Sequence, residues 1–268
     1  EVNELISKGA QVFVGHSGGK DSQAMFAALS KIVPAGQLHV VHADLGDVEH
    51  LDVKAFIKKN IDGLFLNIAQ AIHADGSRKD FFSMVRARRA SLDAKGKHDA
   101  PAFPSSAARF CTSDLKTGPI WKVIRQLAGD AQIVVNCVGI RGEESPARAK
   151  KIATRGTLIE NKKNSNSRRQ AFDFWPIANW TVDQVWAEIA EKGQERHPAY
   201  DAGNDRLSCA FCIFGSQGDL QNAAKARPEL LQRLVELETE VRSTMFNGAS
   251  LAEKVGEFAG VSLVTEAA

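Results

Sequence analysis

The apolar positions of the chain fall into short β-rich runs separated by longer stretches with helical period. Gln11 to Gly15 reads as a first strand, closed by a glycine turn and followed by a helix from about Asp21 to Ile32. Further strands are expected at Leu38 to Ala43, Leu64 to Ile68 and Ile133 to Val138, with helices at about Val48 to Lys59, Lys79 to Ala94 and Ser113 to Leu127. Strand and helix in alternation imply right-handed crossovers and a mostly parallel sheet covered on both faces. Binding sites in such a sheet belong at the carboxyl ends of its strands. The polar, cationic stretch Ile159 to Gln170, "IENKKNSNSRRQ", reads as a mobile loop. After it, Thr181 and Gln184 form a capping box for a helix whose apolar face carries Val182, Val185, Trp186 and Ile189. The end of the chain looks helical, with Pro228 opening a long amphipathic stretch. The expected organisation is an α/β nucleotide-binding domain over 1–215 and a helical extension over 216–268 packed on it.

Composition narrows the class. The chain has 268 residues, 44% of them apolar and 25% charged, which suits an ordinary globular protein with a full core. No apolar run approaches the roughly 20 residues needed to cross a bilayer, and no secretory signal pattern opens the chain, so a cytoplasmic protein without membrane contact is expected. A formal charge of +2 does not by itself argue for nucleic acid. Four cysteines are too few for a disulfide framework in a chain this long, leaving metal binding, catalysis or burial.

The loop after the first strand, "HSGGKDS", carries the first chemical signal. A strand, a glycine-rich turn and a helix present backbone N–H groups and a helix amino terminus to an anion. Gly18 and Gly19 allow close approach, and Lys20 adds a positive charge. A Walker A loop would need glycine where Val14 stands and serine or threonine where Asp21 stands. The residues Ser17, Gly18, Gly19, Lys20, Asp21 and Ser22 instead resemble the S-G-G-x-D-S loop of the PP-loop ATP pyrophosphatases. The resemblance implies an adenine-nucleotide alpha-hydrolase-like fold, with the loop gripping the pyrophosphate end of a nucleotide.

A second signal, "VGIRGEESPARAK", follows the fourth strand and should lie beside this loop on the same sheet edge. Arg141 and Arg148 can meet phosphate or sulfate oxygens, and the carboxylates can orient them or hold a cation. With Gly139, Arg141, Glu144, Ser145 and Arg148 in place, the stretch resembles the G-[IV]-R-x-x-E-S-x-x-R signature of the phosphoadenosine phosphosulfate (PAPS) reductase family. The element "WPIANWTVDQVW" is also similar to one in that family.

The cysteines point to a branch. Cys209 and Cys212 form a C-x-x-C pair whose spacing lets both meet one metal centre. Cys111 lies between Arg109 and Lys116, a cationic setting that lowers a thiol pKa. Cys137 sits in an apolar strand and reads as a buried hydrophobe. The segments around Cys111, Cys209 and Cys212 resemble those of iron–sulfur PAPS reductase-like proteins, such as the pyrophosphatase of DNA phosphorothioation systems and related phage proteins. That resemblance implies a 4Fe-4S cluster on the three cysteines. A Zn²⁺ site completed by His197 fits the donor chemistry equally, and a redox dithiol is a third reading.

Sulfonucleotide reduction, which the family name implies, needs a thiol to attack the substrate sulfur. The residues from Ile213 to Ala268 contain no cysteine, which favours an ATP pyrophosphatase coupled to sulfur transfer over a PAPS or adenosine phosphosulfate reductase. The expected mechanism places ATP, with Mg²⁺, on the 17–22 loop, and Asp44 against the nucleoside or the metal ion. An acceptor oxygen attacks the α-phosphorus while Arg141, Arg148 and Lys116 stabilise charge. The basic stretches Arg78 to Arg89 and Asn161 to Gln170 could track a nucleic-acid backbone, and a sulfur-donor protein would complete the reaction. A nucleotide-sensing module without turnover is the non-enzymatic alternative.

Overall fold

A computed structural model describes residues 1–256. A short α1 (Val2–Ser7) precedes β1 (Gln11–Gly15) and α2 (Lys20–Ser30), then β2 (Leu38–Asp44), α3 (Val53–Lys59) and β3 (Leu66–Gln70). Next come α4 (Phe81–Asp93), α5 (Phe110–Thr112), a π turn over Ser113–Thr117, α6 (Gly118–Leu127) and β4 (Ile133–Cys137). They are followed by α7 (Pro146–Arg155), β5 (Leu158–Glu160), β6 (Gln170–Phe174), α8 (Val182–Glu191) and α9 (Pro198–Asp201). The described chain ends with α10 (Gln217–Ala226), α11 (Pro228–Glu240) and α12 (Leu251–Val255).

The chain divides into two compact units built from interleaved segments. The first comprises Glu1–Ala43, Asp52–Ala69 and Gly118–His197; the second comprises Asp44–Leu51, Gln70–Thr117 and the chain from Pro198.

The first unit is built on a six-stranded sheet of order β3-β2-β1-β4-β6-β5. β1 pairs in parallel with β2 and with β4, β4 pairs in parallel with β6, and only β5 runs antiparallel, at the edge. This is the mostly parallel, helix-flanked α/β sheet that the alternation of elements predicts. Strand period sends Phe13 and Val134 to one face, where Trp121 and Ile124 of α6 cover them, while Val12 and Val14 face the other way and are equally buried. Chain order reverses between β1 and β4: the chain adds β2 on one side of β1 and returns to add β4 on the other. The loops after β1 and β4 therefore flank a topological switch point, where α/β sheets open a crevice.

One expectation needs correction. The stretch 159–170 is not a loop throughout: Leu158–Glu160 pairs with Phe172–Phe174, and β6 extends the sheet beyond β4. The turn between them is fixed by its own polar groups, with Asn166 Oδ1 accepting from the Arg168 and Arg169 amides and Asn161 Nδ2 donating to Asp173. Two helix starts also shift. The helix expected from Val48 begins at Val53, after Asp52 in a left-handed conformation (φ 59°), and α4 begins at Phe81 behind an Asp80–Ser83 capping box. The Thr181–Gln184 box expected for α8 is formed.

In the second unit, Phe81, Phe82 and Val85 of α4 share a core with Leu230, Leu231, Leu234 and Leu237 of α11. Part of the helical extension expected over 216–268 is thus α10, α11 and α12; residues 257–268 lie outside the described residues. No helix among the described residues is long and apolar enough to cross a membrane.

Ile124, fully buried against the sheet, gives a direct test of this core. Ile124→Ala is expected to lower unfolding stability by about 2–5 kcal/mol in chemical denaturation; a change near zero would contradict the packing of α6 on β1 and β4.

Candidate functional site

In the first unit, Gly15 ends β1 and Lys20 begins α2, so the intervening residues turn the chain at the strand's carboxyl end. Gly18 adopts φ +81°, which disfavours any side chain. The turn is closed from within: the Ser17 amide donates to Ser22 Oγ at 3.1 Å, and the Ser22 hydroxyl donates to the Gly19 carbonyl at 2.8 Å. Gly19 caps α2, leaving the first-turn amides without carbonyl partners one turn earlier in the helix. Lys20 is largely buried here, with its Nζ 3.8 Å from Asp21 Oδ2.

The loop after β4 meets this turn as the sequence implies. A side chain at Gly139 would place its Cβ 3.1 Å from the Asp21 backbone carbonyl and 3.3 Å from the Ser22 amide, so only glycine lets the two segments approach this closely. Next to it, Arg141 Nε donates to Asp21 Oδ1 at 2.5 Å, and Nη1 pairs with Glu143. The guanidinium is buried; Asp21 and Glu143 outweigh that burial and hold its pKa above the ordinary value. Glu143 also accepts from the Val182 amide at the start of α8 at 2.7 Å. Much of the remaining motif is structural. Ser145 caps α7, Pro146 occupies its first turn, and Glu144 accepts from the Arg141 amide while pairing with Arg148. A cleft of about 310 Å³ lies beside Glu143, bounded by Ala149, Ala153, Ala178 and Trp180.

In the second unit, Asp44 closes β2. Its Oδ1 accepts from the Gly46 amide at 3.0 Å and from Arg78 Nη2 at 2.9 Å. Gly46 sits at φ +71°, and a Cβ there would come within 2.8 Å of the Arg78 guanidinium. The Arg78–Asp44 pair and the bond from the Val182 amide to Glu143 have no signature in the sequence, because each joins residues far apart in the chain.

The same unit holds the three cysteines. Ala210 and Phe211 are buried in its core with Cys209 and Cys212 on either side of them, and a 2.8 Å bond from the Gly215 amide to the Cys212 carbonyl closes the turn that follows. Cys209 forms an antiparallel bridge with Glu49, and the Arg109 guanidinium stacks over Phe214 at 4.4 Å. Lys116 is the cation of this group: the nearby Cys209 sulfur holds its pKa up against burial, with Cys212, Cys111 and Glu49 adding to the effect. Burial pushes the Cys111 and Cys209 thiols up, and Lys116 works in the opposite direction on both. Cys111, Cys209 and Cys212 thus share one charge environment. In this conformation no group of three or more His, Cys, Asp or Glu among the described residues is arranged to hold a metal ion. In the first unit, Cys137 is fully buried in β4 and His197 packs edge-on against Phe56.

The two basic stretches differ. Near α4, Arg78 is paired with Asp44, Lys79 with Asp114 and Arg86 with Glu240, while Arg89 donates to the Lys97 and Ala100 carbonyls. Those charges are already used within the fold. Lys162, Lys163 and Arg168 on the β5–β6 turn are exposed.

The phosphoadenosine phosphosulfate reductase domain matches residues 11–214. The chain is 30% identical over 149 residues to an uncharacterized 37.8 kDa protein of Escherichia phage 186, covering 55% of this chain and 42% of that one. It is 36% identical over 72 residues to a phosphoadenosine 5'-phosphosulfate reductase of Gloeobacter violaceus, covering 27% of this chain and 26% of that one. The chain spans less than half the length of the curated relatives it matches. Among solved structures, a PAPS reductase from Candida auris in complex with phosphate aligns at 14% identity with a TM-score of 0.45, covering 77% of this chain and 87% of that one.

Gly139→Ala tests the approach of the two loops. Its Cβ would meet backbone, which cannot swing aside, so a loss of about 1–3 kcal/mol is expected on denaturation. An unchanged midpoint would contradict the geometry.

Proposed function

The chain belongs to the phosphoadenosine phosphosulfate reductase domain family, and from that membership we propose an ATP pyrophosphatase that adenylates an oxygen acceptor in support of sulfur transfer. The observation that carries the reading is the Arg141–Asp21 contact, which sets a buried cation against the anion-binding turn at the sheet's switch point. In this reading the β and γ phosphates of ATP lie on Ser17 to Ser22, held by the first-turn amides of α2 and by Lys20. The acceptor oxygen forms a bond to the α-phosphorus as the bond to the bridging oxygen breaks, and pyrophosphate leaves with its electron pair. Lys20 offsets the charge on the leaving group, a charge that bound Mg²⁺ would also neutralise, while Arg141 and Arg148 stabilise the α-phosphoryl oxygens. Catalysis is mainly positioning. Gly139 and Glu144 hold Arg141 in place. The cleft beside Glu143 and Trp180 has room for an acceptor group.

Cys111, Cys209 and Cys212 would hold a 4Fe-4S cluster, with Zn²⁺ as the alternative. A bound cluster supplies a thiophilic iron for sulfur chemistry. Lys116 offsets the charge that three thiolates carry and favours their deprotonation, which ligation requires. For a nucleic-acid acceptor, Lys162, Lys163 and Arg168 of the first unit are exposed, whereas cations near α4 are internally paired. A sulfur-donor protein completes the scheme.

A sulfonucleotide reductase is the second reading, favoured by the family and by the Gloeobacter relative's name. It requires sulfite release in the presence of thioredoxin, where the first reading requires pyrophosphate release from ATP.

The decisive assay is pyrophosphate formation. Lys20→Ala and Asp21→Ala are each expected to lower the rate about 100-fold or more; undiminished turnover in both would overturn the assignment, and nucleotide binding without turnover in the wild type would favour a sensing module. Protein isolated without oxygen is expected to absorb visible light and contain iron and inorganic sulfide, and Cys209→Ser should lose both. A colourless protein loaded with zinc would overturn the cluster.

A further inference from the structure

His16 follows β1 directly and is 1% exposed. Its Nδ1 lies 3.1 Å from the Gly18 amide nitrogen. A backbone N–H can only donate, so Nδ1 must carry a lone pair and the ring proton of the neutral form sits on Nε2. The residue's backbone is fixed on both sides. Its amide donates to the Val41 carbonyl at 2.8 Å, and its carbonyl accepts from His42 Nδ1 at 2.9 Å.

Protonating Nδ1 would abolish the bond to Gly18, and the surroundings oppose it. Burial, with the neighbouring His42, pushes the pKa of His16 down to about 3, so the ring stays neutral wherever the protein is handled near pH 7. Sign matters here. A folded-state pKa this far below that of an unfolded histidine means stability is lost as pH falls through the ordinary histidine range, when the unfolded chain begins to take up a proton.

The other amides of the turn show what His16 achieves. The Ser17 amide is taken by Ser22 Oγ, and the Gly19 amide faces Ser17 Oγ at 3.4 Å. With Gly18 tied to His16, the turn's own amides point inward. The turn's anion-facing side is then formed by the first turn of α2, where Lys20 and Asp21 lie.

We propose that His16 is the positioning residue of this turn: its Nδ1 lone pair holds the Gly18 amide inward, and that hydrogen bond sets the shape in which α2 and Lys20 receive a nucleotide's phosphates. The inference rests on the reading of Ser17 to Ser22 as the phosphate site.

Two isosteric variants separate this role from simple packing. Asparagine places Oδ1 where Nδ1 stands and restores the acceptor, whereas glutamine carries its oxygen further out, near the position of Nε2. The measurements are residue-resolved amide hydrogen exchange by NMR and ATP affinity by calorimetry, with thermal midpoints as a control. His16→Asn is expected to keep the Gly18 amide protected and ATP affinity within about twofold of the wild type. His16→Gln is expected to lose that protection and weaken ATP binding about tenfold, even if the two midpoints match. In the wild type, a long-range proton–nitrogen spectrum should show Nδ1 unprotonated. A protonated Nδ1, or equal Gly18 exchange in the two variants, would overturn the inference, as would equal affinity. If the wild type binds no ATP while Gly18 exchange still separates the variants, the nucleotide reading fails and the loop-holding bond stands.

Discussion

The first unit depends on the placement of one buried cation. Arg141 has its guanidinium held between Asp21 and Glu143, and each partner belongs to a different connection of the fold: Asp21 opens α2 and Glu143 touches the amino end of α8. Asp21 is the less exposed of the two acids, and removing it would leave the buried guanidinium with only the half-exposed Glu143, at a cost approaching the roughly 3–5 kcal/mol of a broken buried pair. That penalty keeps the loops after β1 and β4 together at the switch point. It also explains why Gly139 has no room for a side chain, since any Cβ would part the segments that the ion pair draws together.

The same contact gives the site its latent chemistry. Two carboxylates occupy the guanidinium, so under the proposed function a phosphate would compete for donors that are already aimed. Preorganised donors of this kind favour charge that develops during transfer over charge present in the ground state. The second unit follows a comparable logic with sulfur. Burial pushes the Cys111 and Cys209 thiols up while the nearby Lys116 favours their ionised forms, so two opposed effects set the charge of this group.

Much of this was legible in the sequence because it is local. The strand at Gln11 to Gly15, the glycine turn, the capping box at Thr181 and the C-x-x-C spacing each depend on neighbours a few residues away. The β5–β6 hairpin was not legible. Its strands are short and its turn is rich in Asn, Ser, Lys and Arg, a composition that signals a loop, and it is ordered by pairing with β4 instead of by propensity. The partners of the charged residues were hidden for the same reason. Asp21 and Arg141 are 120 residues apart, and Asp44 and Arg78 are 34 apart. The basic stretch near α4 shows the consequence: read as a run it looks free to meet phosphate, yet most of its cations are neutralised by acids brought to them by the fold.

The central claim is that the turn from Ser17 to Ser22, braced by Arg141, is a phosphate site for a nucleotide. A crystal structure of the oxygen-free protein with a non-hydrolysable ATP analogue tests it most directly. The account predicts the β and γ phosphates within hydrogen-bond reach of Lys20 and the first-turn amides of α2, with Gly139 still packed against Asp21. Phosphates bound elsewhere, with that turn empty and unchanged, would contradict it.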